Sequence, residues 1–104
     1  MVKKNLIAET GSYNGIDSIG IVGPFDQMDD KIILIADEII SNGKNEIVID
    51  FSKTTYITSL GVAVLIKILK KTQKKDGTLY ITNLTQDMYT ILTSASLDKY
   101  LRII

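Results

Sequence analysis

The hydrophobic positions of this chain switch between alternation, unbroken runs and helical spacing, and each switch marks an element. Residues 3–10 and 16–22 read as two strands joined through Asn14-Gly15, the dipeptide that most readily supplies the positive φ angles of a tight hairpin turn. Gly23-Pro24-Phe25-Asp26 then breaks the second strand. Asp26 is placed to cap a helix with Asp29 and Asp30 in its acidic first turn and Met28, Ile32, Ile35 and Ile39 on its buried side. Asn42-Gly43 closes that helix with residues suited to a left-handed terminus. Ile47, Val48 and Ile49 form a continuous apolar run ending in Asp50, the mark of a strand buried on both faces and therefore parallel to its neighbours.

A polar loop over residues 52–55 follows, and Tyr56, Ile57, Thr58 and Ser59 lead into a second helix. Its Val62, Leu65, Ile66 and Leu69 fall at i, i+3, i+4 and i+7. Asp76-Gly77 turns the chain into a strand over Thr78–Thr82, where Leu79 and Ile81 alternate with polar neighbours. Thr85 caps a third helix striped by Met88, Ile91, Leu92 and Ala95, and residues 100–104 end the chain as a short strand. The order ββαβαβαβ predicts an α/β fold with a mixed, mostly parallel sheet, right-handed crossovers and an antiparallel N-terminal hairpin, the helices packed on the sheet.

Composition narrows the class. The 104 residues suit one domain, and 45% apolar with 23% charged residues is the profile of a globular protein rather than a disordered or membrane one. The longest apolar run, residues 62–66, is far too short to span a bilayer. The N-terminus lacks the apolar core and cleavage site of a signal peptide, so a cytoplasmic location is expected. Twelve basic and twelve acidic residues cancel, leaving no long-range field to draw the protein to nucleic acid or an anionic membrane. Lys67, Lys70, Lys71 and Lys74 form one local basic cluster at helical spacing, opposite the apolar stripe, and read as a solvated face.

The absence of histidine and cysteine removes the commonest general base, the commonest metal ligands and any Ser-His-Asp arrangement. No EF-hand, dinucleotide fingerprint or P-loop occurs, so neither metal nor cofactor is expected. Asp50 ends a buried strand, as the phosphoacceptor of a receiver domain does. The opening hairpin and the lack of an acidic pair after the first strand argue instead for a carboxylate satisfied by loop backbone or solvent. Ser59 stands out because it sits at a helix N-terminus, where unpaired N–H groups and the helix dipole favour an anion. Taken alone, it reads as a cap or first-turn residue chosen for its hydroxyl. The five tyrosines show no stripe suited to base stacking and read as core or rim residues.

A buried strand ending in Asp50, then Tyr56, Ile57, Thr58, Ser59 and Gly61 entering an amphipathic helix, resembles the STAS domains, and within them the bacterial anti-sigma factor antagonists. Gly23-Pro24-Phe25-Asp26 is similar to the signature that precedes the family's first helix, and residues 97–103 resemble its segment into the last strand. The resemblance spans nearly the whole chain and implies one STAS-like domain over residues 1–104.

It further implies that Ser59 is phosphorylated by an anti-sigma factor serine kinase, with Asp26, Thr58, Leu60 and Gly61 beside the site. The unphosphorylated form would bind that kinase and free a sigma factor, and a phosphatase would reset the phosphorylated form. ATP and magnesium would belong to the kinase, leaving this chain without a catalytic residue. Thr58 stands where the family usually has aspartate, Leu60 where it has a small residue, and the chain ends at Ile104 where many relatives add a helix, an arrangement that leaves room for self-association. Two other roles fit a STAS domain: a scaffold or oligomerisation module never phosphorylated, and a module that binds a small molecule or nucleotide near Ser59.

Overall fold

A computed structural model describes residues 7–104. Strand β1 (Ile7–Tyr13) turns into β2 (Ile16–Phe25), followed by helix α1 (Asp30–Ser41), β3 (Glu46–Asp50), β4 (Thr54–Ile57), α2 (Ser59–Lys74), β5 (Thr78–Thr82), α3 (Gln86–Ser94), a 3-10 turn (Leu97–Lys99) and β6 (Arg102–Ile103). The sheet runs β1-β2-β3-β5-β6 with β4 also paired to β2, and among the described residues only the β1–β2 pair is antiparallel. The hairpin turns at Asn14 (φ 50°) and Gly15 (φ 85°), the two positive angles expected of that dipeptide. Residues 3–6 of the expected first strand lie outside the described residues.

Strand β2 differs from expectation and does most to position the site. It does not break at Gly23-Pro24 but runs on to Phe25. Its first half pairs with β3 through Ser18–Val48, Ile19–Ile49 and Gly20–Asp50. Its second half pairs with β4 through Gly23–Thr54 and Phe25–Ile57, with a register shift between Gly23 (φ 94°) and Phe25. The expected loop over residues 52–55 is therefore half turn and half strand. Thr54 N–H donates to Phe51 O (3.0 Å), Gly23 N–H donates to Lys53 O (2.9 Å), and the Thr54 hydroxyl donates to Ile21 O (2.7 Å). The observed order is ββαββαβαβ.

Ile19, Ile21, Ile47, Ile49, Leu79 and Ile81 alternate onto one sheet face, where Ile32 and Ala36 of α1, Leu65 and Ile68 of α2, and Met88 and Leu92 of α3 close the core. Val48 is also fully buried but lies outside that cluster, on the alternate face of β3. The buried side of α2 is Gly61, Val64, Leu65, Ile68, Leu69 and Thr72. Val62 and Ile66 of the expected stripe are only half-buried. Apolar residues cover more than half the helix circumference, so spacing alone admitted two adjacent faces, and the sheet takes the one where Gly61 allows close approach.

Four further expectations are corrected. Asp26 does not cap α1: the helix begins at Asp30, and Asp29 is its cap, accepting from Lys31 N–H at 2.8 Å. Met28 precedes the helix and is exposed. Because β2 continues through Phe25, residues 26–29 are needed to bring the chain over to the helix layer. Ala95 is the exposed C-cap of α3 rather than part of its stripe, and the final strand is confined to Arg102–Ile103 after a 3-10 turn. Thr85 caps α3 as expected, accepting from Met88 N–H at 3.2 Å, and Gly43 follows α1 at φ 84°.

Candidate functional site

Strands β2 and β4 run side by side and end together, so Asp26 and Ser59 emerge at the carboxyl edge of the sheet, the usual place for function in α/β folds. The two chain segments are held by backbone. Thr58 N–H donates to Phe25 O at 3.1 Å, and Val62 N–H returns to Thr58 O at 3.0 Å to open the helix. Gly61 then sits hard against the end of β2. A Cβ there would lie 2.4 Å from Phe25 O and 2.9 Å from both Ile57 Cγ1 and Phe25 Cδ2, so close packing requires glycine at this position.

Ser59 is the first residue of α2 and is exposed. Thr58 occupies the cap position with extended backbone (φ −116°, ψ −179°), but its side chain makes no capping bond, and no acidic residue occupies the first turn. The first N–H groups of an α-helix have no intrahelical partner, so this terminus presents uncompensated donors beside the Ser59 hydroxyl. Thr58 Oγ1 is buried and has no hydrogen-bond partner among the described residues. Threonine is a residue type able to cap a helix, but here its hydroxyl is buried and does not.

Asp26 meets the site through a contact the sequence did not reveal. The Tyr56 hydroxyl donates to Asp26 Oδ2 at 2.9 Å, linking the residue after β2 to the residue before Ile57 in β4. That bond, with partial burial and the carboxylate charge, raises the Tyr56 pKa above its ordinary 10.0. Tyr56 and Leu60, three residues before and one after Ser59 in the chain, are large side chains 49% and 47% exposed. No spacing rule pairs Asp26 with Tyr56; only the parallel run of β2 and β4 brings them together.

Asp50, by contrast, is tied into the fold. Its Oδ1 accepts from Ser52 N–H (2.8 Å) and from Asn83 Nδ2 (2.9 Å), joining the turn after β3 to the loop after β5. Burial pushes its pKa up, but the bonds from Asn83 and Ser52 and the charge of Lys53 outweigh it and hold the carboxyl below the ordinary 3.8. An open cleft of about 450 Å³ lies beyond, lined by Asn83, Leu84, Thr85, Gln86, Tyr89, Ile103 and Ile104, and none of the residues around Ser59 enters it. Among the described residues no group of three or more carboxylates converges as a metal site would, and no helix is long and apolar enough to cross a membrane.

The fold has close structural counterparts. An anti-sigma factor antagonist from Mycobacterium paratuberculosis superposes with a TM-score of 0.79 at 16% identity, covering 95% of this chain and 85% of that one. SpoIIAA, an anti-sigma factor antagonist in its unphosphorylated form, gives 0.71 at 14% identity over 96% and 87%. RsbS from Moorella thermoacetica, carrying a serine-to-glutamate substitution, gives 0.68 at 18% identity over 93% and 85%. No curated protein matches the chain significantly in sequence. The STAS domain model matches residues 25–104, from the last residue of β2 through the site and both later helices to the final strand. The chain therefore belongs to the STAS domain family.

Proposed function

We propose that this protein is a phosphorylation-switched anti-sigma factor antagonist whose phosphoacceptor is Ser59. The observation that carries the reading is the uncapped, acid-free start of α2 with an exposed serine as its first residue, in a family whose structural representatives here include anti-sigma factor antagonists. The family is not generally enzymatic, and this chain acts as the substrate and binding partner of a serine kinase that is itself the anti-sigma factor. A separate phosphatase removes the phosphate. Residues 1–104 serve as one cytoplasmic domain in this scheme.

The physics of the switch is local. A phosphate brings about −1.5 to −2 charges at neutral pH. On the free domain that charge meets the bare N–H groups and positive dipole end of α2, so it is tolerated without rearrangement. In a complex the same charge sits at an exposed position close in sequence to the exposed Tyr56 and Leu60, and a partner surface covering it would have to desolvate it. Kinase release follows, and the sigma factor is recaptured. Asp26 holds Tyr56 in position, and Gly61 keeps the start of α2 seated on the strand end. Thr58 is a poor acceptor despite its hydroxyl, because Oγ1 is buried and would require local unfolding to reach a kinase.

Mass spectrometry after incubation with each serine kinase of the host and Mg-ATP tests this with wild type, Ser59→Ala and Thr58→Ala. One phosphate on wild type and Thr58→Ala, absent from Ser59→Ala, is the expected result. Kinase binding without phosphate on any of the three would turn the reading to a scaffold module.

A further inference from the structure

The exposed side of α2 carries a second feature in line with Ser59. At 3.6 residues per turn, Ser59, Ala63, Ile66, Lys67, Lys70 and Lys74 fall within about 100° of arc, and the burial pattern agrees: Ser59, Lys67, Lys70 and Lys74 are exposed while the opposite side meets the sheet. The three lysines and Lys71 rim a groove of about 300 Å³ between α1 and α2, completed by Asp30 and Ile33. Only Lys71 has a carboxylate partner among the described residues, Asp37 at 2.7 Å.

Helix chemistry accounts for half of this. Lys71 and Lys74 lie in the last turn, where cations suit the negative end of the dipole. Lys67 and Lys70 do not, and with their neighbours they form like-charge pairs at i, i+3 and i, i+4, an arrangement that weakens a helix. In a chain of zero net charge, the three lysines of this ridge with no carboxylate partner among the described residues are a local field that calls for an external counter-charge.

Resting on the reading of Ser59 as the partner-facing residue, we propose that this lysine ridge docks an acidic surface of the same serine kinase, so that the partner footprint runs from Ser59 along α2 to Lys74. Asp30 and Asp37 beside the ridge favour a protein over a phosphate polymer. A uniform array of phosphates is repelled by these carboxylates, whereas a protein surface of mixed sign can match both. Lys67 lies about 12 Å along the axis from Ser59 and Lys74 about 22 Å, beyond the screening length of about 8 Å at physiological salt. The ridge therefore does not pair with the phosphate. It steers encounter in both states, and the phosphate alone decides release.

The experiment uses surface plasmon resonance against the host's serine kinases, with wild type, Ser59→Ala and the triple variant Lys67→Glu, Lys70→Glu, Lys74→Glu, at about 50 mM and about 300 mM NaCl. A triple glutamine variant with an unchanged melting temperature guards against misfolding. For the kinase that phosphorylates Ser59, the charge reversal is expected to slow association by roughly tenfold or more at low salt, with the difference closing at high salt. Ser59→Ala, which cannot take the phosphate, identifies the kinase that acts on Ser59. A kinase that binds and phosphorylates wild type but associates equally fast with the reversed and glutamine variants overturns the ridge and leaves the Ser59 reading intact. Wild type neither bound nor phosphorylated by any host kinase overturns both. Lysine-dependent binding to anionic vesicles or duplex DNA at about 150 mM salt, with no effect on the kinase, assigns the ridge to a different partner and also overturns the proposal.

Discussion

Helices α1 and α3 start alike, and α2 starts differently. Asp29 caps α1 with Asp30 in its first turn, and Thr85 caps α3 with Asp87 in its first turn. Each of those termini has a side-chain acceptor for an orphan N–H and a negative charge against the dipole. Helix α2 has neither. It is anchored instead by backbone: the Thr58 N–H on Phe25 O, and Gly61 pressed against the end of β2. Where side chains complete a helix start, the terminus is chemically spent. Where backbone packing holds it, its donors remain available to something added later.

The strongest way to break that comparison is to remove the backbone anchor. Gly61→Ala places a methyl group against Phe25 O, which as backbone cannot easily yield. Overpacking of this kind costs about 1–3 kcal/mol, here at the upper end, against a gain of about 1 kcal/mol in helix propensity. A net loss of about 2 kcal/mol is expected in urea unfolding, with weaker phosphorylation of Ser59. An alanine variant as stable as wild type would falsify the close approach.

The caps themselves come next in size. Asp29→Ala and Thr85→Val should each lose about 1 kcal/mol. Thr58→Val should lose nothing, or gain slightly, since it replaces an unpartnered buried hydroxyl by a methyl of the same shape. A loss of about 1 kcal/mol in Thr58→Val would mean that the threonine caps α2 in solution and that its start is not bare.

Asp50 offers a control at the same edge of the sheet, because its oxygen is already used. Its folded pKa is lowered, so its contribution to stability is complete above the ordinary 3.8 of the unfolded chain and is lost as pH falls through the folded value. Asn83→Ala removes a hydrogen bond to the carboxylate. It should cost about 1 kcal/mol at neutral pH and shrink the acid-side loss in pH-dependent unfolding, whereas Ser59→Ala should leave that profile unchanged.

How much of this the sequence disclosed depended on whether the determining contact was local. The Asn14-Gly15 turn, the Thr85 cap and the strand through Ile47, Val48 and Ile49 follow from neighbours in the chain, and each stands where expected. Strand β4 did not, because Thr54 and Thr55 read as polar loop until β2 is seen to extend past Gly23 and offer a pairing edge. The same long-range event displaced the α1 cap from Asp26 to Asp29 and freed Asp26 to accept from Tyr56, 30 positions away. The exposed serine at the start of α2 was legible from spacing. Unpaired donors were expected of that helix start, but that Thr58 leaves them uncapped was not legible, since threonine is a residue type that caps helices and only the tertiary structure buries its hydroxyl.

The smallest effect tests the comparison most directly. Ser59 and Gln86 are the first residues of α2 and α3, so glutamate at either position brings one negative charge to the same point of a helix. On α3 the charge joins an existing cap and Asp87, and little remains to be neutralised. On α2 it meets uncompensated donors. Ser59→Glu should raise stability by about 0.3–1 kcal/mol at low ionic strength, falling as salt screens the dipole, and Gln86→Glu should raise it by less. Chemical unfolding at two salt concentrations reads both. A larger gain on α3 than on α2 would show that the donors of α2 are already occupied, and the electrostatic welcome for a phosphate on Ser59 would be lost with them.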